Sequence, residues 1–231
     1  MEAPTSRPGH TRLVAWTVFV GLIAALNYYG RFSQGSKRGS SHLGLYSYST
    51  FVGGTIVYLI WFGIVALIAL NRFDLFALRP PARWGRAVAL AATVIVAIFL
   101  VEDAVSKIRL PQSPGGEQGI TNVHWEPQHA GAFAANFVLL AVIAPFVEEM
   151  TFRGVGQSLL RFLGSAPSIL IVGVAFGLAH GLLEALLVLV PLGIGLAWLR
   201  DQTESVIPGM VVHALFNGAA LVAIVALHST N

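Results

Sequence analysis

The chain has 231 residues, 55% of them hydrophobic and 11% charged, with a mean hydropathy of +0.73. Soluble domains carry about 25% charged residues, so a water-soluble globular protein is excluded and an integral membrane protein is expected. The net charge of +3 comes from basic residues in short loops between apolar runs, where topology signals sit; it does not point to nucleic acid. The absence of cysteine excludes disulfides, thiolate chemistry and Cys-ligated metals.

Taken in order, the apolar runs predict an all-α, polytopic helix bundle of about seven transmembrane helices. The first runs from Leu13 to about Gly30 and reads as a retained anchor rather than a signal peptide, because no small-x-small site follows it cleanly. A Ser/Gly-rich loop over 31–48 follows. The second span is expected over Phe51–Leu70, then a basic loop over Asn71–Arg86, then a third over Ala87–Val105. Asp103 and Lys107 stand i,i+4 at the end of that span, the spacing of a solvated ion pair. The polar stretch 107–130, with His124, Trp125 and His129, reads either as a plain connector or as a loop shaping a substrate entrance.

The fourth span starts near Gly131 and reaches Val147, with helical spacing continuing to Leu163. A straight helix of that length would run to about 50 Å, against a hydrocarbon core of about 30 Å, so Pro145, Gly154 and Gly156 are expected to bend or break it. Three more spans follow, over Pro167–Leu183, Ala185–Leu199 and Val206–Leu227, with Pro208 in a first helical turn. With the N-terminus inside, inner segments hold nine basic residues (Arg7, Arg12, Arg72, Arg79, Arg83, Arg86, Arg153, Arg161, Arg200) and outer ones five (Arg31, Lys37, Arg38, Lys107, Arg109), which favours a cytoplasmic N-terminus. No polar stretch is long enough to fold separately, so residues 1–231 are read as one membrane domain.

Three segments carry residues able to do chemistry. Glu148 and Glu149 end the fourth apolar run, and a carboxylate in that setting costs about 2.5–3.5 kcal/mol on insertion scales. The two point about 100° apart on a helix, so they divide their roles. Glu149 and Arg153, i,i+4 with the acid first, suit an ion pair, which leaves Glu148 for a cavity. His180 is the second piece, with Phe176 one turn before it. Gly164 lies sixteen residues from both Glu148 and His180, so a hairpin turning at Gly164 brings them to similar depth. Glu184, i+4 from His180, is either a supporting partner or a loop residue. The third piece is His213 and Asn217, on one face of the last span, where both can donate to a developing oxyanion. Counting from Pro208 puts His213 shallower than His180, and whether it reaches the acids is left open by the sequence.

These groups together point to a buried hydrolytic site. His-Glu-x-x-His and Gly-x-Ser-x-Gly are both absent. Zinc held by Glu148, His180 and His213 with a water is chemically allowed and stays open as an alternative.

Glu148-Glu149-x-x-x-Arg153, Phe176-x-x-x-His180 and His213-x-x-x-Asn217 resemble, in this order, the motifs of the CPBP family, the CAAX-type prenyl endopeptidases and bacteriocin-processing (Abi) proteins. The resemblance covers about residues 130–220, which would be the catalytic core; Leu78-Arg79-Pro80 is similar to a loop common in the family. The resemblance implies a glutamate-type intramembrane endopeptidase without a cofactor. Glu148 would activate water, assisted by His180. His213 and Asn217 would form the oxyanion hole, and Glu149 and Arg153 would support the site. The substrate would be a membrane-embedded or membrane-adjacent peptide or protein, and the setting a bacterial plasma membrane. The alternative within the family is a non-catalytic scaffold or bacteriocin-immunity protein that keeps the polar cluster for helix packing.

Overall fold

The computed structural model describes residues 9–34, 44–108 and 125–228. Arg7, Lys37, Arg38, half of the Ser/Gly-rich loop and residues 109–124 of the polar stretch, with Arg109 and His124, lie outside the described residues. The described residues form seven principal helices: α1 His10–Gln34, α2 Tyr48–Ile68, α3 Trp84–Ser106, α4 Pro127–Leu163, α5 Ser165–Ala179, α6 Leu186–Thr203 and α7 Ile207–His228. Six of the seven are long and apolar enough to cross a membrane; α5, with 15 residues, is shorter. The protein is therefore a polytopic helical membrane protein, as the composition predicts.

Exposure follows from that setting. Val52, Ile56, Leu59, Ile60 and Leu67 of α2 are all more than half exposed, a pattern that lipid rather than water accommodates. The buried core gathers around the second half of α4, with Phe152, Val155 and Leu159 packed among Val172 and Phe176 of α5 and Leu192, Leu196 and Leu199 of α6.

The fourth helix, expected to bend or break, does not break. Pro145, Gly154 and Gly156 do not interrupt α4, which runs 37 residues, about 55 Å at 1.5 Å per residue. Two π-helical segments, Leu139–Ile143 and Met150–Gly156, lie within it on either side of Ala144–Glu149. Wide π turns inside α-helices are frequent at functional sites, and here they bracket the two acids. The glycines serve close approach instead. A Cβ on Gly156 would stand 2.4 Å from Trp16 Cζ2, and one on Gly154 would stand 3.0 Å from the Phe76 carbonyl oxygen. Trp16 of α1 uses that contact to donate to the Thr151 carbonyl at 2.9 Å. Gly164, at φ +91°, turns the chain from α4 into α5, a conformation that glycine adopts without a Cβ penalty.

One end of the bundle is strapped by arginines. Arg12 donates to the carbonyls of Ile68 and Leu70 and so covers the open C-terminal end of α2. Arg79 bonds the carbonyl and carboxylate of Glu204, Arg86 bonds Gln202, and Arg200 donates to Ser158 Oγ, whose hydroxyl in turn donates to the Leu75 carbonyl. In the same region Arg72 holds the Asp74 carboxyl below its usual range, through a two-pronged side-chain hydrogen bond. Arg153, assigned to this side by the count, is instead fully buried against Glu149 and is no topology signal. At the other end Lys107 pairs with Asp103 at 2.6 Å, as their spacing predicts.

Candidate functional site

Glu148 and Glu149 sit on the last turn of the short α-helical stretch between the π segments of α4, and their side chains part as expected. Glu149 is wholly buried. Its Oε1 accepts from Arg153 Nη1 at 2.7 Å and faces His213 Nδ1 at 3.1 Å. Arg153 spends Nη2 on the Gly193 carbonyl of α6 at 3.0 Å, and its Cζ lies 4.2 Å from the Phe176 ring centroid. An isolated buried charge would be costly; here a carboxylate, a carbonyl and an aromatic face surround the guanidinium. Gln157, one turn on, repeats the α6 contact by donating to the Ala197 carbonyl at 2.9 Å.

Glu148 has a different neighbourhood. Its Oε1 accepts from the Tyr58 hydroxyl of α2 at 3.0 Å. Its Oε2 lies 3.8 Å from His180 Nε2 and 3.8 Å from His213 Nε2. Those gaps exceed hydrogen-bond length.

Both histidines are oriented from behind. His180 caps the C-terminus of α5 with Nδ1 2.7 Å from the Phe176 carbonyl oxygen. A carbonyl only accepts, so Nδ1 carries the proton and Nε2 is turned toward Glu148. His213 has Nδ1 on Glu149 and Nε2 toward Glu148 in the same way. Phe176 is the post between them, its ring centroid 4.7 Å from that of His180 and 5.4 Å from that of His213, edge to face in both cases. His180, with its side chain 26% exposed, is the most open of these groups.

Glu148 and His180 therefore lie at one depth, as a hairpin turning at Gly164 predicts. The open question about His213 is also answered, since it reaches both acids. Counting from Pro208 underestimates its depth because α7 begins inside the protein. Ser205 and Val206 are fully buried, and the Val206 N–H donates to the Ala77 carbonyl. Asn217, one turn beyond His213, donates Nδ2 to the Leu140 carbonyl at 2.9 Å, within the first π segment of α4. Glu184 lies in the loop between α5 and α6. Among the described residues no three His, Asp or Glu side chains are grouped to hold a metal ion.

Three contributors escaped the sequence reasoning. Tyr58 belongs to no motif and reads as one more aromatic in a span. The available signal was its depth, ten residues into α2 and beyond an interfacial belt. Thr151 receives Trp61 Nε1 on its hydroxyl at 2.8 Å. Asn136, fully buried, donates to the carbonyls of Leu45, Ser47 and Ala132 and fastens the entry to α2 onto α4. As polar residues within an apolar run, both were visible on hydropathy grounds.

No curated protein and no solved structure matches the chain. Residues 130–219, the stretch that holds Glu148, Glu149, Arg153, His180, His213 and Asn217, match the family described as type II CAAX prenyl endopeptidase Rce1-like.

Proposed function

We propose that the protein is an intramembrane endopeptidase in which Glu148 activates water for attack on a peptide carbonyl. The observation that carries this reading is the convergence of His180 Nε2 and His213 Nε2 on one carboxylate oxygen, each 3.8 Å from Glu148 Oε2. A water between the three has a proton acceptor in Glu148 and two oriented imidazoles beside it. Glu148 takes its proton as the oxygen attacks the carbonyl carbon. The carbon–nitrogen bond of the resulting tetrahedral species then breaks, and the proton passes from Glu148 to the leaving amine. The products are a carboxylic acid and an amine, with one water consumed.

In this reading His213 donates from Nε2 to the developing oxyanion, and Glu149 behind Nδ1 stabilises the imidazolium. Arg153 fixes Glu149 through the 2.7 Å contact with its Oε1. Asn217 gives one amide hydrogen to Leu140, and the second remains for the oxyanion. His180, at the open side, orients the water. The substrate is a peptide or protein held in or against the bilayer.

The second reading is a non-catalytic scaffold or immunity protein, and the bond from Asn217 to the α4 backbone is the observation on its side. Alanine at Glu148, His180 or His213, assayed on anchored peptides in reconstituted vesicles, separates the two. Cleavage lost in all three folded variants supports the protease, and cleavage retained in Glu148→Ala refutes it.

A further inference from the structure

We propose that Tyr58 is a positioning residue for this site: its hydroxyl holds Glu148 Oε1, so that Oε2 is the oxygen presented to His180 and His213. The proposal rests on the reading of Glu148 as the base. It adds a residue from α2, outside the matched stretch 130–219, to a site otherwise built from α4, α5 and α7.

The terminal torsion of a glutamate is broad and roughly two-fold, so a carboxylate tied to nothing presents either oxygen. Here the Tyr58 hydroxyl lies 3.0 Å from Oε1, while Oε2 lies 3.8 Å from both imidazole Nε2 atoms. One oxygen is occupied and the other is aimed.

The tyrosine is itself fixed from the same turn of α4. Its ring stacks on Trp61, with centroids 5.7 Å apart and planes 17° from parallel. Trp61 Nε1 donates to Thr151 Oγ1 at 2.8 Å, and that hydroxyl donates to the Val147 carbonyl at 2.7 Å, the residue before Glu148. Trp16 Nε1 holds the Thr151 carbonyl from the other side at 2.9 Å. Thr151 and Trp16 donate to backbone carbonyls of the turn that carries the acid, and Trp61 reaches that turn through the Thr151 hydroxyl. On the lipid side of α2 the neighbours are Ile56, Val57, Leu59 and Ile60, all exposed, so Tyr58 and Trp61 mark the inward face.

The test is Tyr58→Phe, which removes one oxygen and keeps the ring. Two readouts are taken on reconstituted protein. The first is the infrared band of the Glu148 carboxyl, isolated as wild type minus Glu148→Gln; it is expected to change frequency in Tyr58→Phe. The second is turnover of an anchored peptide; kcat is expected to fall about tenfold or more while KM stays within about twofold, since binding is kept and alignment is lost. An unmoved band, or an unchanged kcat in a protein whose Glu148→Gln variant is inactive, overturns the proposal and leaves the protease reading intact. A wild type that cleaves no peptide, or a fully active Glu148→Gln, defeats the reading of Glu148 as base and the role of Tyr58 with it.

Discussion

Glu149 Oε1 and His213 Nδ1 meet at 3.1 Å although 64 residues separate them in the chain. The same oxygen takes Arg153 Nη1 at 2.7 Å, so one buried carboxylate neutralises a guanidinium and orients an imidazole. Removing it strands Arg153, and breaking a buried ion pair from one side costs about 3–5 kcal/mol. Glu149→Ala is expected to lose stability on that scale, read as a lower midpoint of thermal unfolding in detergent. Glu149→Gln, nearly isosteric, is expected to fold better than the alanine variant and still lose turnover, because His213 no longer has a charge behind it.

His180 presents the opposite balance. It caps α5 at the open side of the site, its side chain is 26% exposed, and one hydrogen bond to the Phe176 carbonyl holds it. His180→Ala is expected to cost about 1 kcal/mol of stability, the worth of that bond, and to lower kcat by about 10²–10⁴, the range for a positioned acid–base group. Unfolding and turnover measured on the same preparation check both halves.

Asn217 does two things in this account, and they separate experimentally. Its bond to the Leu140 carbonyl ties α7 to α4 and contributes about 1 kcal/mol. Its remaining amide hydrogen serves the oxyanion, where one donor is worth about 10²–10³ in kcat. Asn217→Ala is expected to show both losses. A variant that loses stability but keeps kcat would reduce Asn217 to a tie between helices.

Gly156 makes a prediction about assembly rather than chemistry. A methyl there would enter the Trp16 ring, with its carbon 2.4 Å from Cζ2. Overpacking of this kind costs about 1–3 kcal/mol. Gly156→Ala is expected to lower the unfolding midpoint and to do so much less in a Trp16→Ala background, where the ring is gone.

The helices were legible because lipid demands long apolar runs, and each expected span has its counterpart within a few residues. The separation of Glu148 from Glu149 was legible too, since adjacent helical residues diverge and Arg153 stands at i+4. What could not be read was the interior of α4. Pro145, Gly154 and Gly156 look like helix breakers, yet two of the three are sites of close contact, and the π segments leave no composition signature. The reach of His213 was hidden for a related reason. Counting assumes that a helix begins at the membrane edge, whereas α7 begins at the buried Ser205–Val206 turn. Tyr58 was invisible because its role depends on α2 lying against α4, a tertiary fact with no local pattern.

Turnover of an anchored peptide by the Glu148→Gln variant in reconstituted vesicles tests the account at its centre. The substitution keeps the shape of the side chain and its contact with Tyr58 while removing the base. The account predicts a correctly folded protein, with an unfolding midpoint close to that of the wild type, and a kcat lower by about 10²–10⁴. Wild-type turnover by that folded variant would contradict it.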